Sequence, residues 1–260
     1  MKLSIITINL NNRIGLKKTI QSVISQSFKD FEYIIIDGAS KDDSVEEINQ
    51  NAKNIDYWVS EPDFGIYNAM NKGIKKASGE YCLFLNSGDS LCKVTTLNEI
   101  FCKELTCDII YGNSFMYNEN NKEFLNEEPE KLTFLTFYKR SICHQALFIR
   151  RELFNANKLG LYREDFKIVS DWEFNLRAII LRECSIKYLP IPIVYVDNTG
   201  VSLTNRDLSL RERQMVFTEL IPSRILSDYK LIMEMEEELL NIKKTKWFRT
   251  WRKIKKLLTF

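Results

Sequence analysis

The sequence lacks the features that mark several classes of protein. No apolar run approaches the roughly 20 residues that a membrane-spanning helix needs. The opening stretch, MKLSIITINL, is a strand-like run without a long apolar signal region or a small-residue cleavage site. No internal repeat or low-complexity tract is present. These absences favour a folded domain in the cytoplasm.

Paired cysteine motifs and histidines are also scarce. The six cysteines show no CxxC-type spacing, and several stand in apolar surroundings. We therefore expect reduced, buried thiols and no zinc site. His144 is the single histidine. One histidine can be structural, a late metal ligand or a contact to a substrate, and its sequence context leaves these alternatives open.

The formal net charge of +2 hides an uneven distribution. Residues 243–260 carry eight Lys or Arg and no acid, so the remainder has 29 basic and 35 acidic residues and a net charge of −6. An acidic body argues against general nucleic-acid binding.

In the tail, Trp247, Trp251, Ile254 and Leu258 fall on one helical face among basic residues. This pattern is typical of a helix on an anionic membrane surface, or of one packed on a protein.

The first half of the chain alternates between strand-like and helix-like stretches. The apolar strand-like runs are Leu3–Ile8, Tyr33–Ile36, Tyr57–Val59, Tyr81–Leu85 and Ile109–Tyr111. This alternation predicts an α/β domain with a mostly parallel central sheet flanked by helices. The second half predicts a strand over 144–150, a helix over 170–182, a strand over 186–196 and a helical extension from Arg206.

Polar clusters follow the predicted strands at their carboxyl ends. They read NLNN, DGAS, SEPD and NSGD in chain order. In open α/β sheets ligands bind beyond these ends, so the clusters predict a site. Several candidate residues, within these clusters and beyond them, also have a structural interpretation: Asp37 and Asp171 can cap helices, Asn71 can be a satisfied buried amide, and Trp172 can belong to the core.

The clusters, in this order, resemble the inverting family 2 glycosyltransferases with the Rossmann-like GT-A fold, and within them the bacterial WcaA-like type. The matching pieces are SIITINLNN, IIIDGASKDDS, GIYNAMNKGI, EYCLFLNSGD and SDWEFNLR, and they span about residues 1–205. The resemblance implies a glycosyltransferase domain over 1–205, with a donor-binding half (1–111) and an acceptor-binding half (112–205). Residues 206–260 form the extension.

The resemblance also assigns roles to individual residues. It implies that Asp171 is the catalytic base, with Glu173 as second choice, and that Asp89 binds Mn²⁺ or Mg²⁺. Donor-binding positions are Asn9, Asn11, Asp37, Glu61, Asp63, Asn71, Asn86, Ser87 and Gly88, with Gly73 in the same helix as Asn71. Acceptor or secondary contacts are His144, Gln145, Trp172 and Glu173.

Four positions depart from the commoner family pattern. Asn86 and Gly88 stand where aspartates are usual, Met70 stands where an arginine is frequent, and Ser170 replaces a glutamate. The first two changes predict weaker metal affinity or one that depends more on the nucleotide. Asp89 and Asp171 remain, so catalysis is expected.

The resemblance implies metal-dependent transfer of a hexose or N-acetylhexosamine from a nucleoside-diphospho-sugar, UDP being the commonest nucleotide. The acceptor would be a hydroxyl of a glycan or lipid-linked saccharide in cell-surface polysaccharide synthesis, and the enzyme would lie at the inner face of the cytoplasmic membrane. A nucleotidyltransferase and a binding-only relative are the alternatives, although a Gly-rich phosphate loop near the N-terminus is missing.

Overall fold

The computed structural model describes residues 1–102, 104–118, 122–197 and 205–244. The chain divides into two compact units, Met1–Glu212 and Arg213–Phe260. The strands are β1 (Leu3–Asn9), β2 (Phe31–Asp37), β3 (Tyr57–Ser60), β4 (Tyr81–Asn86), β5 (Ser90–Leu91), β6 (Ile109–Tyr117), β7 (Glu123–Asn126), β8 (Leu147–Arg150) and β9 (Ile186–Tyr195). The helices are α1 (Arg13–Ile24), α2 (Ser44–Gln50), α3 (Ile66–Lys76), α4 (Thr96–Phe101), α5 (Phe134–Lys139), α6 (Ser170–Leu176), α7 (Arg206–Leu220) and α8 (Ser223–Lys244).

One sheet with helices packed on it organises the first unit, which confirms the predicted α/β fold. The strand order is β3-β2-β1-β4-β8-β6-β9-β5, and β7 pairs with β6. The strands β3, β2, β1 and β4 run parallel. Their carboxyl ends therefore meet at one edge, which brings the four polar clusters together.

The other side of the sheet is mixed. Strand β8 lies antiparallel between β4 and β6, and β9 runs parallel to β6 with register shifts near Asn113. The prediction of a strand over 144–150 was wrong in its first part, because His144–Ala146 form a 3₁₀ turn and β8 starts at Leu147. This turn directs the side chains of His144 and Gln145 out of the strand and toward the polar edge.

The central strands carry the core. All seven residues of β1 and the first five of β4 are buried. Helix α3 packs closely on β1 because Gly73 has no side chain. A Cβ atom at this position would lie 2.4 Å from Cγ2 of Ile6. Gly73 thus has a packing role, independent of any contact with a ligand.

The second unit contains most of the predicted helical extension. Helix α8 runs over 22 residues and ends at Lys244. Across the described ranges, no helix combines the length and apolarity that spanning a bilayer requires. The predicted amphipathic tail, 243–260, falls outside the described residues apart from its first two positions.

Candidate functional site

The NSGD turn after β4 is fixed by helix α1. The hydroxyl of Thr19 accepts a hydrogen bond from the backbone N–H of Gly88 at 2.9 Å and donates to the carbonyl of Asp89 at 2.7 Å. The ammonium of Lys18 donates to the carbonyl of Gly88 at 3.0 Å, and Asn12 donates to that of Ser87 at 2.9 Å. Side chains of helix α1 and of its N-cap residue Asn12 therefore hold three successive residues of the turn.

Asp89 is the buried acid of this turn. It is 1% exposed, and its two carboxylate oxygens accept the backbone N–H groups of Asn86 and Asp197, each at 2.9 Å. Burial raises the pKa of Asp89 to about 6, although these N–H groups, the charge of His144 and a hydrogen bond from Gln145 each lower it. The structure thus retains a carboxylate that costs free energy when ionised.

Asp171 lies in the first turn of α6, opposite α3. Its Oδ1 accepts a 2.6 Å hydrogen bond from the hydroxyl of Tyr67, and its Oδ2 lies 3.2 Å from Nδ1 of His144. The Asp171 side chain is 14% exposed. Burial raises the pKa of this carboxyl, but the bonds from His144 and Tyr67 outweigh burial and hold it below its usual value. Asp171 is therefore ionised and oriented at neutral pH.

The 3₁₀ turn before β8 connects the two acids. His144 contacts Asp171, while its neighbour Gln145 hydrogen-bonds to Asp89. Burial lowers the pKa of His144, yet the hydrogen bond to Asp171 and the charges of Asp171 and Asp89 raise it overall. The predicted base and the predicted metal residue thus contact neighbouring residues of one short segment.

Asp37 organises the donor-side loop. Its carboxylate accepts hydrogen bonds from Nδ2 of Asn9 at 2.7 Å, from the backbone and hydroxyl of Ser40 at 2.9 and 2.6 Å, and from the hydroxyl of Ser60 at 2.6 Å. The residue is fully buried. Asn11, at φ 50°, adds a bond from the backbone N–H of Lys41 to its side-chain oxygen. These bonds shape the loop, and the contacts of Asn9, Asn11 and Asp37 with a nucleoside remain predictions.

Glu61 and Asp63 share one cation. The ammonium of Lys72 lies 2.8 Å from Glu61 and 2.7 Å from Asp63. Asp63 also approaches Gly38, where a Cβ would lie 3.0 Å from its Oδ2. The ion pairs hold the SEPD segment to α3, while Asp63 lies against the loop after β2 and the N–H of Glu61 donates to the carbonyl of Asp37, so both acids lie at the same edge as Asp37.

Three residues that the sequence predicts to contact a ligand form hydrogen bonds within the protein. The amide of Asn71 exchanges hydrogen bonds with the backbone of Tyr162 at 2.8 and 3.0 Å, as the buried-amide alternative expects. Trp172 is 2% exposed and donates from its indole to the carbonyl of Phe137, so it belongs to the core. The buried Glu173 accepts two hydrogen bonds from the partly exposed guanidinium of Arg177. Their ligand contacts stay predictions.

The residues around the NSGD turn fit a divalent cation held jointly with a diphosphate. Asn86 Oδ1 and His144 Nε2 are buried, and neither has a hydrogen-bond partner among the described residues. Carboxylate, amide oxygen and imidazole are all ligands of such ions. Within the described ranges, no group of three or more His, Cys, Asp or Glu side chains could hold a metal ion. Oxygens from a nucleotide would have to complete the shell, which is the usual arrangement for Mg²⁺.

Two residues of this site were absent from the sequence interpretation. Tyr67 holds Asp171 in place, and the sequence pattern assigns it no role in a site. Asp197 follows β9, and its carboxylate lies against the NSGD turn: a Cβ at Gly88 would come within 2.6 Å of its Oδ2. The only sequence signal for Asp197 is its position directly after a strand.

Comparisons with known proteins point to one family. A model described as Glycosyl transferase family 2 matches residues 4–156. A PGL/p-HBAD biosynthesis glycosyltransferase of Mycobacterium tuberculosis is 31% identical over 84% of this chain and 85% of its own. The GalNAc(5)-diNAcBac-PP-undecaprenol beta-1,3-glucosyltransferase of Campylobacter jejuni is 32% identical over 64% of this chain and 60% of its own.

Solved structures show the same fold. S. aureus TarS 1–349 in complex with UDP-GlcNAc superposes with a TM-score of 0.63 at 20% identity, over 78% of this chain and 61% of that one. The mannosyltransferase PcManGT from Pyrobaculum calidifontis, in complex with GDP-Man and Mn²⁺, gives 0.58 at 15% identity, over 96% of this chain and 82% of that one. These likenesses confirm the GT-A fold, and the narrower WcaA-like type stays a prediction.

Proposed function

The chain belongs to glycosyl transferase family 2, and from this premise we propose that it transfers a sugar from a nucleoside-diphospho-sugar to an acceptor hydroxyl with inversion at the anomeric carbon. Its named relatives are glycosyltransferases, which decides the enzyme class against the nucleotidyltransferase alternative. The binding-only alternative is addressed by the experiment below.

One observation carries the proposal. Asp89 and Asp171 come from segments 82 residues apart, yet both contact the adjacent pair His144 and Gln145. An acid near a diphosphate and a second acid near the acceptor are the two groups that a single displacement requires. Their approach to one short turn supports a common reaction centre.

The base in this proposal is Asp171. The acceptor hydroxyl gives its proton to the Asp171 carboxylate as its oxygen bonds to the anomeric carbon, and the bond from that carbon to the diphosphate oxygen breaks with its electron pair. Tyr67 and His144 hold the carboxylate in place. Because a single displacement attacks from the face opposite the leaving group, the product is inverted.

The leaving-group side is formed by the NSGD turn. A divalent cation bound there would neutralise the negative charge that develops on the departing diphosphate. Asp89, Asn86 and His144 would hold it together with the nucleotide. The turn itself is fixed by Thr19 and Lys18, so these groups are positioned before the donor binds.

The names of relatives and neighbours support a choice of substrates to test. TarS is described with UDP-GlcNAc and PcManGT with GDP-Man, so a UDP-sugar is the first donor to test and a GDP-sugar the second. The Campylobacter relative is named for an undecaprenol-linked acceptor. We propose a glycan or lipid-linked saccharide acceptor of cell-surface polysaccharide synthesis, reached at the inner membrane face through the basic tail 243–260.

Membrane attachment has its own test. The full chain and a variant lacking 243–260 are floated with vesicles containing anionic lipid and with neutral vesicles. We expect only the full chain to float, and only with anionic lipid, because the tail carries eight positive charges. Equal behaviour of both proteins would contradict the membrane role and leave the enzymatic proposal intact.

Donor use is tested with a panel of nucleoside-diphospho-sugars in the presence of a lipid-linked saccharide as acceptor, with and without Mn²⁺. Binding is followed by thermal shift and turnover by release of the nucleoside diphosphate. We expect one donor to raise the melting temperature and to be consumed, and the variant Asp171→Asn to bind it without turnover. Proton NMR of the product formed from an α-linked donor should show a β linkage. A retained linkage would refute Asp171 as the base, and binding without any release would favour the binding-only alternative.

A further inference from the structure

The turn that the cation and diphosphate would occupy is short of acidic charge. Residues Asn86 to Asp89 contain a single carboxylate, and that of Asp89 is buried and already accepts two backbone N–H groups. Positions 86 and 88, where the family pattern has aspartates, hold Asn and Gly. A divalent ion with a diphosphate is bound more tightly when a second anionic oxygen is present.

A second carboxylate, that of Asp197 after β9, lies beside this turn although it is distant in sequence. The Asp197 side chain packs on Gly88, since a Cβ at Gly88 would lie 2.6 Å from Oδ2 and 2.9 Å from Cγ of Asp197. Gly88 has a φ of 112°, a conformation that residues with side chains rarely adopt. An aspartate at position 88 would therefore be strained and would collide with Asp197.

The backbone fixes Asp197 in this position. Strand β5, directly after the turn, pairs with the end of β9, and the N–H of Asp197 donates to Oδ1 of Asp89 at 2.9 Å. This hydrogen bond joins residues 108 positions apart. Asp197 is partly exposed, whereas Asp89 is buried. The more accessible of the two carboxylates is thus the one that the sequence motif does not contain.

We propose that Asp197 supplies the second carboxylate of the cation and diphosphate site, in place of the aspartates absent at positions 86 and 88. This inference rests on the proposed function, because it assumes that a divalent ion binds at the NSGD turn. The Gly at position 88 then has a defined role: it leaves room for the carboxylate of Asp197. In the same turn, Oδ1 of Asn86 is buried and has no hydrogen-bond partner among the described residues, so it is a further oxygen that could meet a cation.

The test measures metal binding directly. Free Mn²⁺ is quantified by electron paramagnetic resonance during titration of the full chain, alone and with saturating UDP. Asp197→Asn keeps the side-chain shape and the backbone N–H but removes the charge. We expect its Mn²⁺ affinity to fall by about tenfold or more, since changes at partners outside the ligand shell alone cost about 10- to 100-fold. Asp30→Asn, which removes one charge from an exposed residue before β2, is the matched control and should bind as the parent does.

Two further variants separate a metal-site role from a structural one. Asp197→Glu keeps the charge, so it should recover part of the affinity. The double variant Asn86→Asp with Asp197→Asn returns a carboxylate to the position where the family usually has one, and it should also regain affinity. A structural role for Asp197 predicts no recovery in either variant and a lower melting temperature in all three.

The outcomes distinguish the two proposals. Unchanged Mn²⁺ affinity in Asp197→Asn, with normal binding by the parent, overturns the role of Asp197 and leaves the proposed transferase intact. A parent protein that binds a donor and turns it over but takes up no Mn²⁺ overturns the cation site, and this inference with it.

Discussion

Asp89 offers a test of the site's electrostatics that needs no substrate. Its pKa is raised by burial from an ordinary value of 3.8 to about 6. Between these values the folded protein binds more protons than the unfolded chain, so the free energy of unfolding falls as the pH rises. With about 1.36 kcal/mol for each pKa unit, the ionised carboxylate costs on the order of 3 kcal/mol at neutral pH.

The test substitution is Asp89→Asn, because an asparagine side chain does not titrate. The substitution replaces an acceptor with an amide, so one backbone N–H, of Asn86 or Asp197, loses its partner, at a cost of about 1–3 kcal/mol that does not depend on pH. The difference in unfolding free energy, variant minus parent, should therefore rise by about 2.4 kcal/mol from about pH 4 to pH 7, whatever its starting value, because the unfolded carboxyl is already partly ionised at pH 4.

Urea unfolding, followed by tryptophan fluorescence in the presence of EDTA, measures this difference at several pH values. Asp30→Asn, at an exposed residue, serves as control and should give a nearly constant difference. If the Asp89→Asn difference were also constant between pH 4 and 7, the carboxylate would have an ordinary pKa and the picture of a costly buried charge would be refuted.

Three further predictions concern the acid of α6 and its surroundings. Asp171→Asn should lower kcat by about 10²- to 10⁴-fold and leave donor affinity in thermal shift unchanged, because a general base acts only in the chemical step. A fall in donor affinity of the same size would contradict the role of Asp171 as the base. Tyr67→Phe removes the 2.6 Å hydrogen bond to Asp171, and such a bond to a charged acceptor contributes about 1.5–3 kcal/mol. The kcat should therefore drop by about 10- to 100-fold while the KM for the donor stays unchanged. Kinetics like those of the parent would show that Tyr67 does not position the base. Trp172→Ala should cost about 3–5 kcal/mol in urea unfolding, because the ring is buried in the core, whereas a sugar-stacking role predicts a small loss of stability.

The local pattern of the sequence was sufficient for the donor-side half of the fold. Apolar runs of β1, β2 and β4 leave few alternatives to buried parallel strands, and turn-forming residues place polar clusters where these strands end. Since carboxyl ends of parallel strands share an edge, the approach of Asp37, Glu61 and Asp89 followed from their positions along the chain. The beginning of α6 at Ser170, with Asp171 in its first turn, was predictable in the same way.

The partners of these residues depended on long-range packing. The insertion of β8 between β4 and β6, antiparallel to both, brings His144 and Gln145 to the two acids, and no local signal announces that strand order. The contacts of Tyr67 with Asp171 and of Asp197 with Asp89 join residues 104 and 108 positions apart. Sequence periodicity reports which side of a strand or helix is apolar, since burial favours one face. The register and order of the strands decide which polar groups come into contact, so these contacts are determined only in the folded sheet.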